Sequence, residues 1–156
     1  MKNETERLEE LRVKIIQWAD EKGILSKATP EKQFLKFIEE TGELAKAILT
    51  SDSHEFIDAV GDVFVTIVIH AKLKDISFEH KSTRVFATEN DTMIGSMVNY
   101  VLDERYEVSI ETLIDIHYGN ELLTEEKNFA DCVEVAYNVI AGRTGEMING
   151  SFVKDK

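Results

Sequence analysis

Asp58 and Asp62 stand one helical turn apart in the most apolar stretch of the chain, Phe56-Ile-Asp58-Ala-Val-Gly-Asp62-Val-Phe-Val-Thr-Ile-Val-Ile-His70, and a second acidic cluster, Glu39-Glu40-Thr-Gly-Glu43, lies upstream. Carboxylates on a helix that is apolar on nearly every other side lose water on folding, which is unfavourable unless a cation or a donor replaces it. At 100° per residue, Gln33, Lys36, Glu40, Glu43 and Ala47 fall within an arc of roughly 80°, with Glu39 beside it, and Glu55, Asp58 and Asp62 fall within roughly 60°. Four to six carboxylates on one seam repel each other at low dielectric, so they need bound cations or raised pKa values. Hard oxygen ligands suit Mg²⁺ or Mn²⁺, whereas Zn²⁺ prefers His and Cys, and neither residue joins the cluster in spacing.

The elements that must position these acids are helical. One proline and eight glycines punctuate long segments with apolar residues at three- and four-residue spacing, an all-α pattern. A first helix is expected over about residues 4 to 21, with Leu8, Leu11, Ile15, Trp18 and Ala19 as its core stripe and Gly23 as its stop. Thr29 before Pro30 reads as an N-cap opening a helix to about Leu49, with Phe34, Phe37, Ile38, Leu44, Ala45 and Ile48 on its apolar face. Ser51-Asp-Ser53 breaks the chain and caps a third helix to about Leu73. So short a connection makes the two helices an antiparallel hairpin with the acidic arcs facing across the seam. Residues 75 to 90, with Phe78, Val85 and Phe86, read as a loop. Further helices are expected over about Asp91 to Arg105, from a Ser109 cap to His117, and from Thr124 to Ala141, where Phe129, Cys132, Val133, Ala136, Tyr137 and Ile140 form a stripe. Gly119-Asn120 reads as a turn, and the tail from Gly142 to Lys156 as irregular. The expectation is one domain over residues 1–156, a helical bundle around the hairpin with a helical extension over about 76–156.

Composition bounds the function. The 43% hydrophobic and 31% charged content is that of a soluble globular protein, and no apolar run approaches a membrane-spanning length. The polar start, Met1-Lys-Asn-Glu-Thr-Glu-Arg, does not resemble a signal peptide, so a cytoplasmic location is the expectation. The single cysteine, Cys132, forms no internal disulfide and sits among apolar residues as a buried thiol. A net charge of -12 repels nucleic acid phosphates and anionic membranes, so an anionic substrate would need divalent cations to mediate its binding.

Plainer roles compete for several of these residues. Glu39, Glu40 and Glu43 can form a solvated face with Lys36 paired to Glu40, and Glu55 can complete a capping box with Asp52. Asp58 and Asp62 lack polar neighbours that would make them such a face. Gln33 and Lys36 share the arc of Glu40 and could hold a phosphate oxygen; Arg143 and Lys154 in the tail could reach an anionic ligand. His54, His70, His80 and His117 are scattered, and none follows a glutamate by three residues as a di-iron bundle requires.

The order Glu39-Glu-Thr-Gly-Glu43 followed by Asp58-Ala-Val-Gly-Asp62-Val-Phe-Val resembles the MazG-like branch of the all-α nucleoside triphosphate pyrophosphohydrolases, whose motif is EExxE and then ExxD on an apolar helix. The resemblance includes Gln33-Phe-Leu-Lys36. It extends to Ala136-Tyr-Asn-Val-Ile-Ala-Gly-Arg143-Thr-Gly-Glu-Met-Ile-Asn-Gly150-Ser-Phe-Val-Lys154, which looks like the ending of small MazG-like proteins of bacteriophages and their hosts. One position departs: Ala59 stands where the motif has its glutamate, so either Asp58 substitutes or Glu55-Phe-Ile-Asp58 is the match. The resemblance implies hydrolysis of a nucleoside triphosphate to the monophosphate and pyrophosphate, in the service of nucleotide-pool housekeeping. It implies Mg²⁺ at Glu40, Glu43, Asp58 and Asp62, with catalytic roles for Glu39, Glu40 and Lys36, and a homodimer or homotetramer. The rivals are a relative that kept the fold and lost the activity, which the Ala59 departure favours, and a carboxylate-bridged di-iron protein.

Overall fold

The computed structural model describes residues 1–79 and 88–156. The all-α expectation holds, with one small exception at the C-terminal end. The helices are α1 (Glu4–Glu21), α2 (Ile24–Lys27), α3 (Pro30–Thr50), α4 (Ser53–Leu73), α5 (Asn90–Leu102), α6 (Tyr106–Gly119) and α7 (Phe129–Ala141); strands β1 (Gly145–Ile148) and β2 (Ser151–Lys154) follow. No helix of the described residues is long and apolar enough to cross a membrane.

Helices α1, α3 and α4 each start where the sequence supplies a side-chain cap. The Asn3 side chain accepts the Glu6 N–H while the Glu6 carboxylate accepts the Asn3 N–H, a capping box that opens α1. Leu8, Leu11, Ile15, Trp18 and Ala19 are its buried face. Gly23, at φ 77, turns the chain into α2, a one-turn helix that sequence periodicity is too short to register. The Thr29 hydroxyl accepts the Lys32 N–H ahead of Pro30, and the Asp52 carboxylate accepts the Glu55 N–H at the start of α4. Only Ser51 and Asp52 separate α3 from α4, and their N–H groups bond back to Ile48 and Ala47. The helices therefore run antiparallel, as the hydrogen bond from Gln33 near the start of α3 to the Thr66 carbonyl late in α4 requires.

Helix α4 is the axis of the molecule. Fourteen of its residues are buried, because α3, α7, α1 and α6 all pack on it. Gly61 is where α7 comes closest: a Cβ built there would lie 2.4 Å from the Cys132 carbonyl oxygen and 2.6 Å from the Ala136 methyl. Cys132 is a free, fully buried thiol. Helices α5 and α6 pack together as a second pair, and α6 joins it to α4.

Several boundaries differ from the expectation. Helix α6 begins at Tyr106, and Ser109 is an interior residue whose hydroxyl donates to the Met97 carbonyl instead of capping. Helix α7 begins at Phe129, because Asn128 and Asp131 form a capping box. On α3, Ile38 is 39% exposed, while Thr41 and Ala47 are buried in its place. Residues 76–79 and 88–89 carry neither helix nor strand; His80, Val85 and Phe86 lie outside the described residues. The tail is not irregular: β1 and β2 pair antiparallel about a two-residue turn, Asn149-Gly150, both at positive φ. That is the Asn-Gly hairpin signature, and it was present in the sequence.

Candidate functional site

A cleft opens where α1, α2, α3, α4, the end of α7 and the hairpin meet. Its polar lining comes from Lys32, Gln33, Lys36 and Glu40 of α3, Asp62 and Thr66 of α4, and Arg143 just beyond α7. Its apolar lining comes from Trp18, Ile24, Ala28, Val65, Ile69, Ile140 and Phe152. The helical period places the polar residues together: Gln33, Lys36 and Glu40 share one stripe of α3, and Asp62, Thr66 and Ile69 share one stripe of α4. Buried Gln33 is held by its donation to the Thr66 carbonyl at 3.3 Å, and the Thr66 hydroxyl in turn donates to the Val63 carbonyl at 2.7 Å.

Glu40 and Asp62 are the electrostatic centre. Burial raises the Glu40 carboxyl to about 7, with the charges of Asp62, Glu39 and Glu43 adding to the rise and Lys36 opposing it. Burial also raises Asp62 to about 6; Arg143 opposes this, while Asp58 and Glu55 add to it. Two carboxyls held up into the neutral range in one cleft are poised to exchange protons for a cation. The remaining acids lie outside the cleft lining. Glu39 and Glu43 are exposed on α3, and Glu39 pairs with Lys36 at 3.6 Å. Glu55 is exposed in the first turn of α4, and half-buried Asp58 pairs with exposed His54 at 3.6 Å. Because the helices are antiparallel, Glu43 and Asp58 each sit one turn nearer the α3–α4 connection than Glu40 and Asp62, and so form a second rung of the same ladder.

Among the described residues, no three His, Cys, Asp or Glu side chains converge into a group that could hold a metal ion. Mg²⁺ seldom uses such a cage; one or two carboxylates, waters and substrate phosphates complete its shell. The Glu40–Asp62 pair, uncomfortable without a cation, fits that mode. The histidines are placed elsewhere. His70 shares a 2.8 Å hydrogen bond with the Tyr106 hydroxyl, and His117 bonds the Lys127 carbonyl at 3.0 Å.

The third wall of the cleft is the part that sequence reasoning did not place. Arg143 lines it; Lys154, at the end of β2, is exposed and does not. The Lys32 ammonium donates to the Asn149 carbonyl and ties the hairpin turn to α3. Phe152 stands edge-on to Trp18, ring centroids 5.8 Å apart. Trp18 had the signal of a core residue and nothing more, and the hairpin was signalled only by its Asn-Gly turn.

The family model described as MazG nucleotide pyrophosphohydrolase domain matches residues 28–89, the segment that carries α3, α4, Glu40 and Asp62. An uncharacterized 18.2 kDa protein from the rep-hol intergenic region of Haemophilus phage HP1 is 39% identical over 69 residues, 44% of this chain. The match spans 42% of that phage protein's length. No solved structure matches. The resemblance to the MazG-like branch therefore stands over the helix hairpin, which bears the domain signature of the nucleotide pyrophosphohydrolases.

Proposed function

We propose, from a MazG-like helix hairpin whose Glu40 and Asp62 share one cleft, that this chain hydrolyses nucleoside triphosphates between the α and β phosphates, releasing the monophosphate and pyrophosphate. The observation that carries the reading is the pair itself: Glu40 and Asp62, both partly buried, line one cleft with Lys36 and Arg143, and burial raises both carboxyls. Glu40 and Asp62 would hold Mg²⁺, with Glu43 and Asp58 on the next rung. Bound there, the metal supplies charge neutralisation for the triphosphate and a lowered pKa for a coordinated water. Lys36 and Arg143 offset phosphate charge as it shifts toward the leaving pyrophosphate. Glu39, exposed beside the cleft, would orient the attacking water and take its proton by turning toward Glu40 and leaving Lys36.

A second reading, a relative that keeps the fold without the reaction, is favoured by Ala59 at the expected glutamate position and by the absence of three converging acids among the described residues. A panel of canonical and modified nucleoside triphosphates, assayed with Mg²⁺ for pyrophosphate, separates the two. Release from at least one nucleotide, lost on chelation, is the expected result; none across the panel upholds the inactive relative.

The same reading includes a homodimer or homotetramer. Leu35, Ile38 and Leu49 on α3 are 59%, 39% and 85% exposed. They fall within roughly 60° of one another, an apolar stripe that a second copy would cover. Light scattering at micromolar concentration is expected to return a multiple of the 17.7 kDa chain mass. A monomer mass would refute the assembly.

A further inference from the structure

Building on the triphosphate reading of the carboxylates, we propose that the apolar lining of the cleft around Trp18 is a base subsite. There the Trp18 indole N–H selects a base bearing a carbonyl, and Phe152 of the hairpin is the wall that moves to admit it.

Trp18 is 8% exposed, and its Nε1 is buried with no hydrogen-bond partner among the described residues. An indole N–H can only donate, and a buried one ordinarily finds an acceptor. Here the polar atom belongs to a residue that lines a cleft, beside Ile24, Ile140 and Phe152. Glu40, Asp62, Lys36 and Arg143 line the same cleft. A ligand matching both kinds of lining has a polyanionic head and a flat, largely apolar ring system carrying an acceptor. Uracil, thymine, cytosine and guanine each carry a ring carbonyl; adenine carries none. A site built around one donor discriminates against the analogue that leaves it unpaired.

The hairpin must yield for this to happen. The cavity is about 120 Å³, below the roughly 300–1,000 Å³ of small-molecule sites. Phe152 packs edge-on against Trp18 at an interplanar angle of 71° and lines the same cleft. Displacing this one ring enlarges the space beside the indole while Lys32 still holds the turn at Asn149. Trp18 and Phe152 both lie outside the segment shared with the family model, so this selection is a property of the chain's own flanks.

Trp18 is the only tryptophan, so the ¹⁵N-labelled full chain gives a single indole N–H resonance. With Mg²⁺ present, the α,β-methylene analogue of dUTP is expected to shift that resonance downfield and to bind about tenfold more tightly than the dATP analogue. Trp18→Phe keeps an aromatic ring without the donor and is expected to erase the difference, mainly by weakening the uracil analogue. A stationary indole resonance at saturation with the dUTP analogue, no binding by either analogue, or an undiminished preference in Trp18→Phe would each overturn the subsite. Should that variant fail to fold by circular dichroism, the wild-type resonance decides. Pyrophosphate release is scored separately: a shifted resonance without release counts against the hydrolytic reading and leaves the subsite standing, whereas release with a stationary resonance overturns the subsite alone.

Discussion

Replacing Asp62 with alanine is expected to lower Mg²⁺-dependent pyrophosphate release by at least about a thousandfold, roughly the several kcal/mol that a catalytic metal supplies, with helix content unchanged. Pyrophosphate release and far-ultraviolet circular dichroism check both halves; turnover near that of the wild type would remove Asp62 from the role assigned to it. The stability of the metal-free protein should move the other way. Asp62 and Glu40 titrate at about 6 and about 7 in the folded chain, above the ordinary 3.8 and 4.5. The folded state therefore binds these protons more tightly than the unfolded chain. That contribution is complete below about pH 4 and is lost as pH rises through the folded values. Between about pH 5 and pH 8 the metal-free unfolding midpoint should fall, and Asp62→Asn, which keeps the shape without the charge, should fall less. At about pH 8 the variant should be the more stable without Mg²⁺, and only the wild type should gain from adding it. A variant no more stable than wild type under those conditions would mean that burial of the Asp62 charge does not destabilise the fold.

The largest loss of stability is expected from one methyl group. Gly61→Ala would place its Cβ 2.4 Å from the backbone carbonyl of Cys132, so α4 and α7 must separate. Overpacking typically costs about 1–3 kcal/mol, and a backbone obstacle that cannot rotate away puts this site at roughly 3 kcal/mol or more. The thermal midpoint should fall by about 10 °C. Gly95, in the interior of α5, is the control: among the described residues nothing lies within 4 Å of its built Cβ. Gly95→Ala should raise stability by up to about 1 kcal/mol, through the better helix propensity of alanine. Two glycine-to-alanine changes of opposite sign separate close helix contact from intrinsic propensity. Equal midpoints for the two variants would show that α7 does not seat on Gly61.

The capped starts of α3 and α4, their antiparallel pairing and the stripes that bring Glu40 and Asp62 to one cleft were legible in the sequence. They follow from local chemistry: a cap or proline at a helix start, a two-residue connection, and a 3.6-residue period. Cys132 and the α1 stripe were legible for the same reason, since an apolar side chain at a regular interval has one way to leave water. Which acids meet was not. Glu43 and Asp58 carry the same charge and nearly the same phase as Glu40 and Asp62, yet of these four only Glu40 and Asp62 line the cleft, because the depth of a side chain in a seam depends on what packs over it. Trp18 shows the limit most clearly, because its spacing marks it as core while its orphaned N–H acquires meaning only when Phe152 and Arg143 arrive from the far end of the chain. Contacts between residues more than a hundred positions apart leave no periodic trace, so the third wall of the cleft was settled by tertiary packing alone.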